Sequence, residues 1–201
     1  MNAKVRRGIA YVIAFLTVLS FILCIGGCTD EEVREGLNNQ SIQLVVKRVV
    51  LKNGTVAEKW ISGEYTPSQK ARLDNALKKK YKSEVARAAS VKYNCHSYAW
   101  YNIHNDNIYW IYDPTLFIKS AQLIATHTKG WDNLPQDVSN WNRVTFTYKN
   151  ELEHSAIVYK SGKYMFMSKW GNAGVFKHTI KKCPYYHKTK MVLRYYRYQT
   201  A

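Results

Sequence analysis

The chain has 201 residues, 46% hydrophobic and 22% charged, which excludes a disordered protein and suits one main domain. Its 30 Lys and Arg against 14 Asp and Glu give a net charge of +16, with 16 tyrosines among them. A surface of this kind suits a polyanion, whether nucleic acid, membrane or wall polymer, and the compartment decides among them.

Lys4, Arg6 and Arg7 precede an uncharged run from Gly8 to Gly27. A basic start, an apolar stretch and small residues at its end describe an export signal. Ile25-Gly26-Gly27-Cys28 resembles the bacterial lipoprotein signal, in which the cysteine is lipidated and becomes the new N-terminus; this implies Cys28 as the lipidation site. The alternative is an uncleaved anchor, since such a run is long enough to span a bilayer. In both cases the cations stay in the cytosol and everything after Cys28 lies outside, on the extracytoplasmic face of the membrane. Residues 28–40, with Asp30, Glu31, Glu32 and Glu35, read as an acidic tether, and residues 41–201 as the domain. Export excludes nucleic acid, so the basic domain is expected to meet anionic lipid or anionic wall polymers.

Within the domain, Ser41–Ile61 holds two β-branched runs separated by Asn53-Gly54, a strong hairpin signal. Thr66-Pro67 opens a helix with Thr66 as cap, followed by Ala71, Leu73, Ala76, Leu77 and Tyr81 at helical spacing. A second short helix is expected over Ser83–Ala89, and a third beginning after Asn94, which is a good N-cap. The stretch 103–140 reads as an irregular loop of the kind that forms lids or substrate surfaces. Strands are expected at 143–148, 154–159, 164–170, 174–178 and 191–198, joined by short turns into an antiparallel sheet. Helices first and strands second give an α+β fold.

Two cysteines, Cys95 and Cys183, remain in the domain. Outside the cytosol they could form a disulfide, and the protein would then be a non-catalytic binder of wall or membrane surfaces. Against that, Cys95 begins a helix, where free backbone N–H groups and the helix dipole favour a thiolate. His154, opening a strand before the small pair Ser155-Ala156, is the candidate base. His178 is an alternative base or orienting group, whereas His96, His104, His127 and His187 read as structural or surface residues. Zinc is the remaining reading of Cys95, His96, His154, His178 and Cys183, but no paired short ligand spacing supports a metal site, and no cofactor is expected.

A cysteine at a helix start, followed about sixty residues later by a histidine opening a β-hairpin, resembles the NlpC-type papain-like peptidases and amidases of bacterial cell walls. The segments NCHSYAWY, EHSAIV, SKWG and CPY are similar to a group of exported Gram-positive proteins. The resemblance covers roughly Tyr93–Tyr185 and implies a papain-like fold, a metal-free hydrolase, peptidoglycan as substrate, Cys95 as nucleophile and His154 as base. It departs at Asn94, where the family commonly has Asp, and at Asn142-Arg143, where it has Gly-Asp. The family's third residue falls by counting on Phe166, which is apolar; Ser168 is the nearest suitable group, since Lys169 would repel an imidazolium. Trp100, Lys169 and Trp170 are the candidate substrate contacts, with Trp110, Trp131 and Trp141 as further aromatic faces near the loop region.

Overall fold

The structure, a computed structural model, describes residues 45–128, 133–187 and 191–198. The export signal, Cys28, the acidic tether and Trp131 lie outside the described residues. Among the described residues no helix is long and apolar enough to cross a membrane.

The Asn-Gly signal yields a hairpin of β1 (Val45–Val50) and β2 (Val56–Ser62). Gly54 takes φ +86°, a value that requires glycine at this point of a tight turn, and its N–H donates to Leu51 O at 2.8 Å. Helix α1 (Pro67–Tyr81) starts in a full capping box: the Thr66 hydroxyl accepts from Gln69 N, while the Gln69 side chain accepts from Thr66 N. Its Leu73, Leu77 and Tyr81 cover Trp170, Ala173 and Phe176.

Residues 84–87 form a strand, β3 (Glu84–Arg87), instead of the expected second helix. Its partner β9 (Val175–His178) lies far along the chain, and pairing with it outweighs the helical tendency of an Ala-rich stretch. Helix α2 (Cys95–Trp100) is capped by the Asn94 side chain, which accepts from Ser97 N at 3.0 Å. The stretch expected to be irregular contains β4 (Tyr109–Ile111), α3 (Thr115–Lys119) and β5 (Gln122–His127). Then follow β6 (Arg143–Tyr148), β7 (Glu151–Ser161), β8 (Tyr164–Lys169), β9, a 3₁₀ turn over Ile180–Lys182, and β10 (Met191–Arg197).

The strands make two antiparallel sheets, a small one ordered β1-β2-β4 and a seven-stranded one ordered β3-β9-β8-β7-β6-β10-β5. The expected α+β class and antiparallel pairing therefore hold. Side chains alternate across β7, which is buried on both faces. On one face Ile157 joins Tyr98, Trp100, Met167 and Val175 under α2; on the other Ala156 and Val158 join Phe146, Phe166, Leu193 and Cys183.

Candidate functional site

Cys95 sits in the first turn of α2 and is 7% exposed. The backbone N–H groups of Ser155 and His96 point at its sulfur and favour the thiolate, and so does the Lys169 charge. Burial outweighs them and pushes the thiol up to about 11. The β7–β8 ladder is paired at Ile157–Met167 and Val158–Phe166 but not at Ser155, so the Ser155 N–H is free to face the sulfur.

The two residues beside that contact point in opposite directions. Ser155 faces α2: Trp100 Nε1 donates to its Oγ at 2.9 Å, and the hydroxyl is hydrogen-bonded to His96 Nδ1, also at 2.9 Å. Burial brings His96 down to about 4, so it is neutral. His154 faces the other way. Its ring stacks on Tyr185 at 4.1 Å and meets Phe146 edge-on at 5.2 Å. It is 0% exposed, and neither ring nitrogen has a hydrogen-bond partner among the described residues. Burial and the neighbouring His178 and His96 hold its pKa well below the ordinary value.

Alternation along β7 produces this aim, since His154 falls on the face of Ala156 and Val158. Phe146 pairs with His154 but Thr147 pairs with Leu152, so a β-bulge at Glu153 immediately precedes the histidine. The structure thus brings Cys95 to the β7 backbone next to His154, while the imidazole is turned onto the Tyr185 side and makes no hydrogen bond to the sulfur.

Ser168 does not orient His154. Its Oγ is 2.8 Å from His178 Nε2, and His178 Nδ1 donates to Thr179 O at 2.9 Å. Trp170 Nε1 donates to the same Ser168 oxygen at 3.0 Å, which completes a relay in which every group has a partner. Burial brings His178 down to about 4, so this histidine is neutral and engaged.

The expected substrate contacts are likewise interior. Trp100 is 0% exposed and packed edge-on against Tyr196 and Tyr198. Trp170 stacks on Phe176 at 4.1 Å. Lys169 cannot hold a substrate carboxylate, because its ammonium donates to Ser90 O (2.7 Å), Gly171 O (2.6 Å) and Ala173 O (2.5 Å) and lies over the Tyr93 ring. Asp74 of α1 makes a complementary brace, accepting from Ala89 N at 2.7 Å and Gly174 N at 2.8 Å. A Cβ on Gly174 would fall 2.2 Å from Arg87 O, so only glycine fits between the two strands there. Lys169 and Asp74 together fix the loop that leads into Cys95. Desolvation brings Lys169 down to about 7 even with Asp74 and Glu64 nearby.

Cys183 is buried, and both domain cysteines are free thiols. Among the described residues no three His, Cys, Asp or Glu side chains converge to hold a metal ion. The sequence reading missed Tyr185, the residue that covers His154. Its signal was the rigid Cys183-Pro184 step after a short helical turn, with Tyr186 N donating back to Cys183 O. His187 ties the same segment to β7 through Glu153 at 2.7 Å and stacks on Tyr148 at 4.0 Å.

No protein-family model, no curated protein and no solved structure matches this chain.

Proposed function

We propose that the chain is an exported, lipid-anchored cysteine peptidase or amidase of the papain-like, NlpC type, cutting peptide or amide bonds in cell-wall polymers. One observation carries this reading. A fully buried histidine with both nitrogens unpaired adjoins the strand position whose N–H faces the sulfur of a helix-start cysteine. The bonds from Lys169 to backbone carbonyls and from backbone N–H groups to Asp74 support it by holding the cysteine segment.

Both partners are neutral at rest. As the Cys95 sulfur attacks the substrate carbonyl carbon, the thiol proton passes to His154, which then gives it to the leaving amine; water cleaves the resulting thioester and regenerates the thiol. For this to occur, the Tyr185 ring leaves His154 and the imidazole turns toward the sulfur. Cys95→Ala and Cys95→Ser are expected to abolish the release of new amino groups from peptidoglycan fragments while the unfolding midpoint stays at the wild-type value. Undiminished release by Cys95→Ala overturns the proposal.

The closed site favours a second reading, a non-catalytic surface-binding lipoprotein of the same fold, because His154 is wholly covered and Cys95 nearly so. Alkylation of the native protein by iodoacetamide separates the two. Selective modification of Cys95 supports the enzyme, and modification only in denaturant supports the binder.

A further inference from the structure

The small sheet turns one face into the main core and carries exposed side chains on the other, with Trp60 there the buried exception at 7% exposure. Val49, Ala57 and Ile111 turn inward and join the main core. The alternate positions turn outward, and the register aligns them in rows: Val50 beside Val56, Arg48 beside Glu58 and Trp110, and Val46 beside Trp60. Val50 is 70% exposed and Tyr112 46%. Trp60, Trp110 and Tyr112 form a chain of rings with centroids 6.4 Å apart at each step.

The charges on this face are not distributed at random. Glu58 accepts a hydrogen bond from the Tyr112 hydroxyl at 3.0 Å and stands opposite Arg48, so the acid is engaged while cations border the apolar rows. Lys52 in the turn and Lys119 at the end of α3 are exposed. Leu116, half exposed, lies under that turn, with its Cδ1 3.5 Å from where a Cβ on Gly54 would stand.

Aliphatic side chains, Trp and Tyr rings, and a border of Lys and Arg are the combination that partitions into the interface of an anionic bilayer. A second copy of the chain fits less well. Antiparallel pairing of two β1 edges about the middle of Val45–Val50 would set Lys47 opposite Arg48, and like charges opposite one another are destabilising. On the export reading, Cys28 is fixed at the membrane and β1 is the first described element after it, and the chain between them could reach about 60 Å at full extension.

We propose that the outward face of β1, β2 and β4 docks on the anionic membrane surface to which the chain is tethered. The proposal rests on the export reading and is independent of the Cys95 chemistry. Val50, Val56 and Leu116 enter the headgroup layer, and Lys52 and Lys119 meet lipid phosphates.

The test is amide hydrogen exchange on the full chain reconstituted into vesicles of phosphatidylcholine alone or mixed with phosphatidylglycerol. Exchange over residues 46–58 is expected to slow by about tenfold in the anionic vesicles only. The protection should disappear in 1 M salt, where screening acts over about 3 Å, and in the Val50→Glu/Val56→Glu double variant. That variant should keep the wild-type unfolding midpoint and the wild-type rate of Cys95 alkylation. A chain that floats with vesicles but exchanges equally in both overturns the docking face and leaves the anchor standing; a chain that fails to float overturns both. Protection that rises with protein concentration in detergent overturns docking in favour of a second copy.

Discussion

His154 and His178 are both completely buried in the same sheet, yet they are treated in opposite ways. His178 uses both nitrogens, one toward Thr179 O and one toward Ser168, and Ser168 in turn is held by Trp170. His154 uses neither. A buried polar group without a partner costs about 1–3 kcal/mol, whereas one with partners is close to neutral. Lys169 follows the His178 pattern in a stronger form, with three carbonyls around one ammonium. Against these well-satisfied neighbours the imidazole of His154 is bare at both nitrogens.

The largest effect is expected where buried polar groups are most densely paired. Lys169→Met leaves the Ser90, Gly171 and Ala173 carbonyls without their donor and should cost about 3–5 kcal/mol, read from urea unfolding. Acid acts on the same scale. His96 and His178 titrate near 4 in the folded chain and burial holds His154 well below its ordinary value, while all three take up protons near 6.5 once unfolded. The unfolded state therefore binds more protons as pH falls. Stability is full above about pH 6.5 and drops by about 1.4 kcal/mol per pH unit for each of His96 and His178 on the way down toward 4, with His154 acting in the same direction. Urea midpoints at pH 7, 6 and 5 check this, and a flat profile would show that the three rings are not buried neutral.

His178→Phe should cost about 1–3 kcal/mol, because the Ser168 hydroxyl loses its acceptor. His154→Leu sharpens the contrast by reversing its sign: an apolar group replaces an unpaired one, and stability should stay level or rise by about 1 kcal/mol while the hydrolysis proposed for Cys95 should be lost. A loss of stability in His154→Leu equal to that in His178→Phe would erase the distinction between the two histidines.

Much of the architecture was legible from local chemistry. Asn53-Gly54, the Thr66 box and the Asn94 cap each act over a few residues, and the structure has a turn or a helix start at each. The strands from 143 onward were legible for the same reason, since alternation and turn residues are local. What was hidden depends on distant partners. Glu84–Arg87 is a strand because β9 lies beside it, and nothing within four residues says so. Ser168-Lys169-Trp170 looked like a substrate surface, yet each side chain is engaged by residues that folding brings alongside. The aim of His154 follows the alternation of β7, in which it shares a face with Ala156 and Val158. Between β7 and β8 the register slips between Val158 and Ser161, and a shift of one position exchanges the faces of a strand, so counting residues along β8 could not identify the group that would support the imidazole.

The brace from Asp74 to Gly174 joins residues 100 positions apart, and the pairing of Glu84 with Lys177 spans 93. Helix α1 can form early from its own capping box, but the contacts that lock it await the last quarter of the chain. Folding dominated by such long-range closure is slow and has little to gain from a half-made chain. A polypeptide of this design cannot close its tertiary structure until nearly all of it has been made.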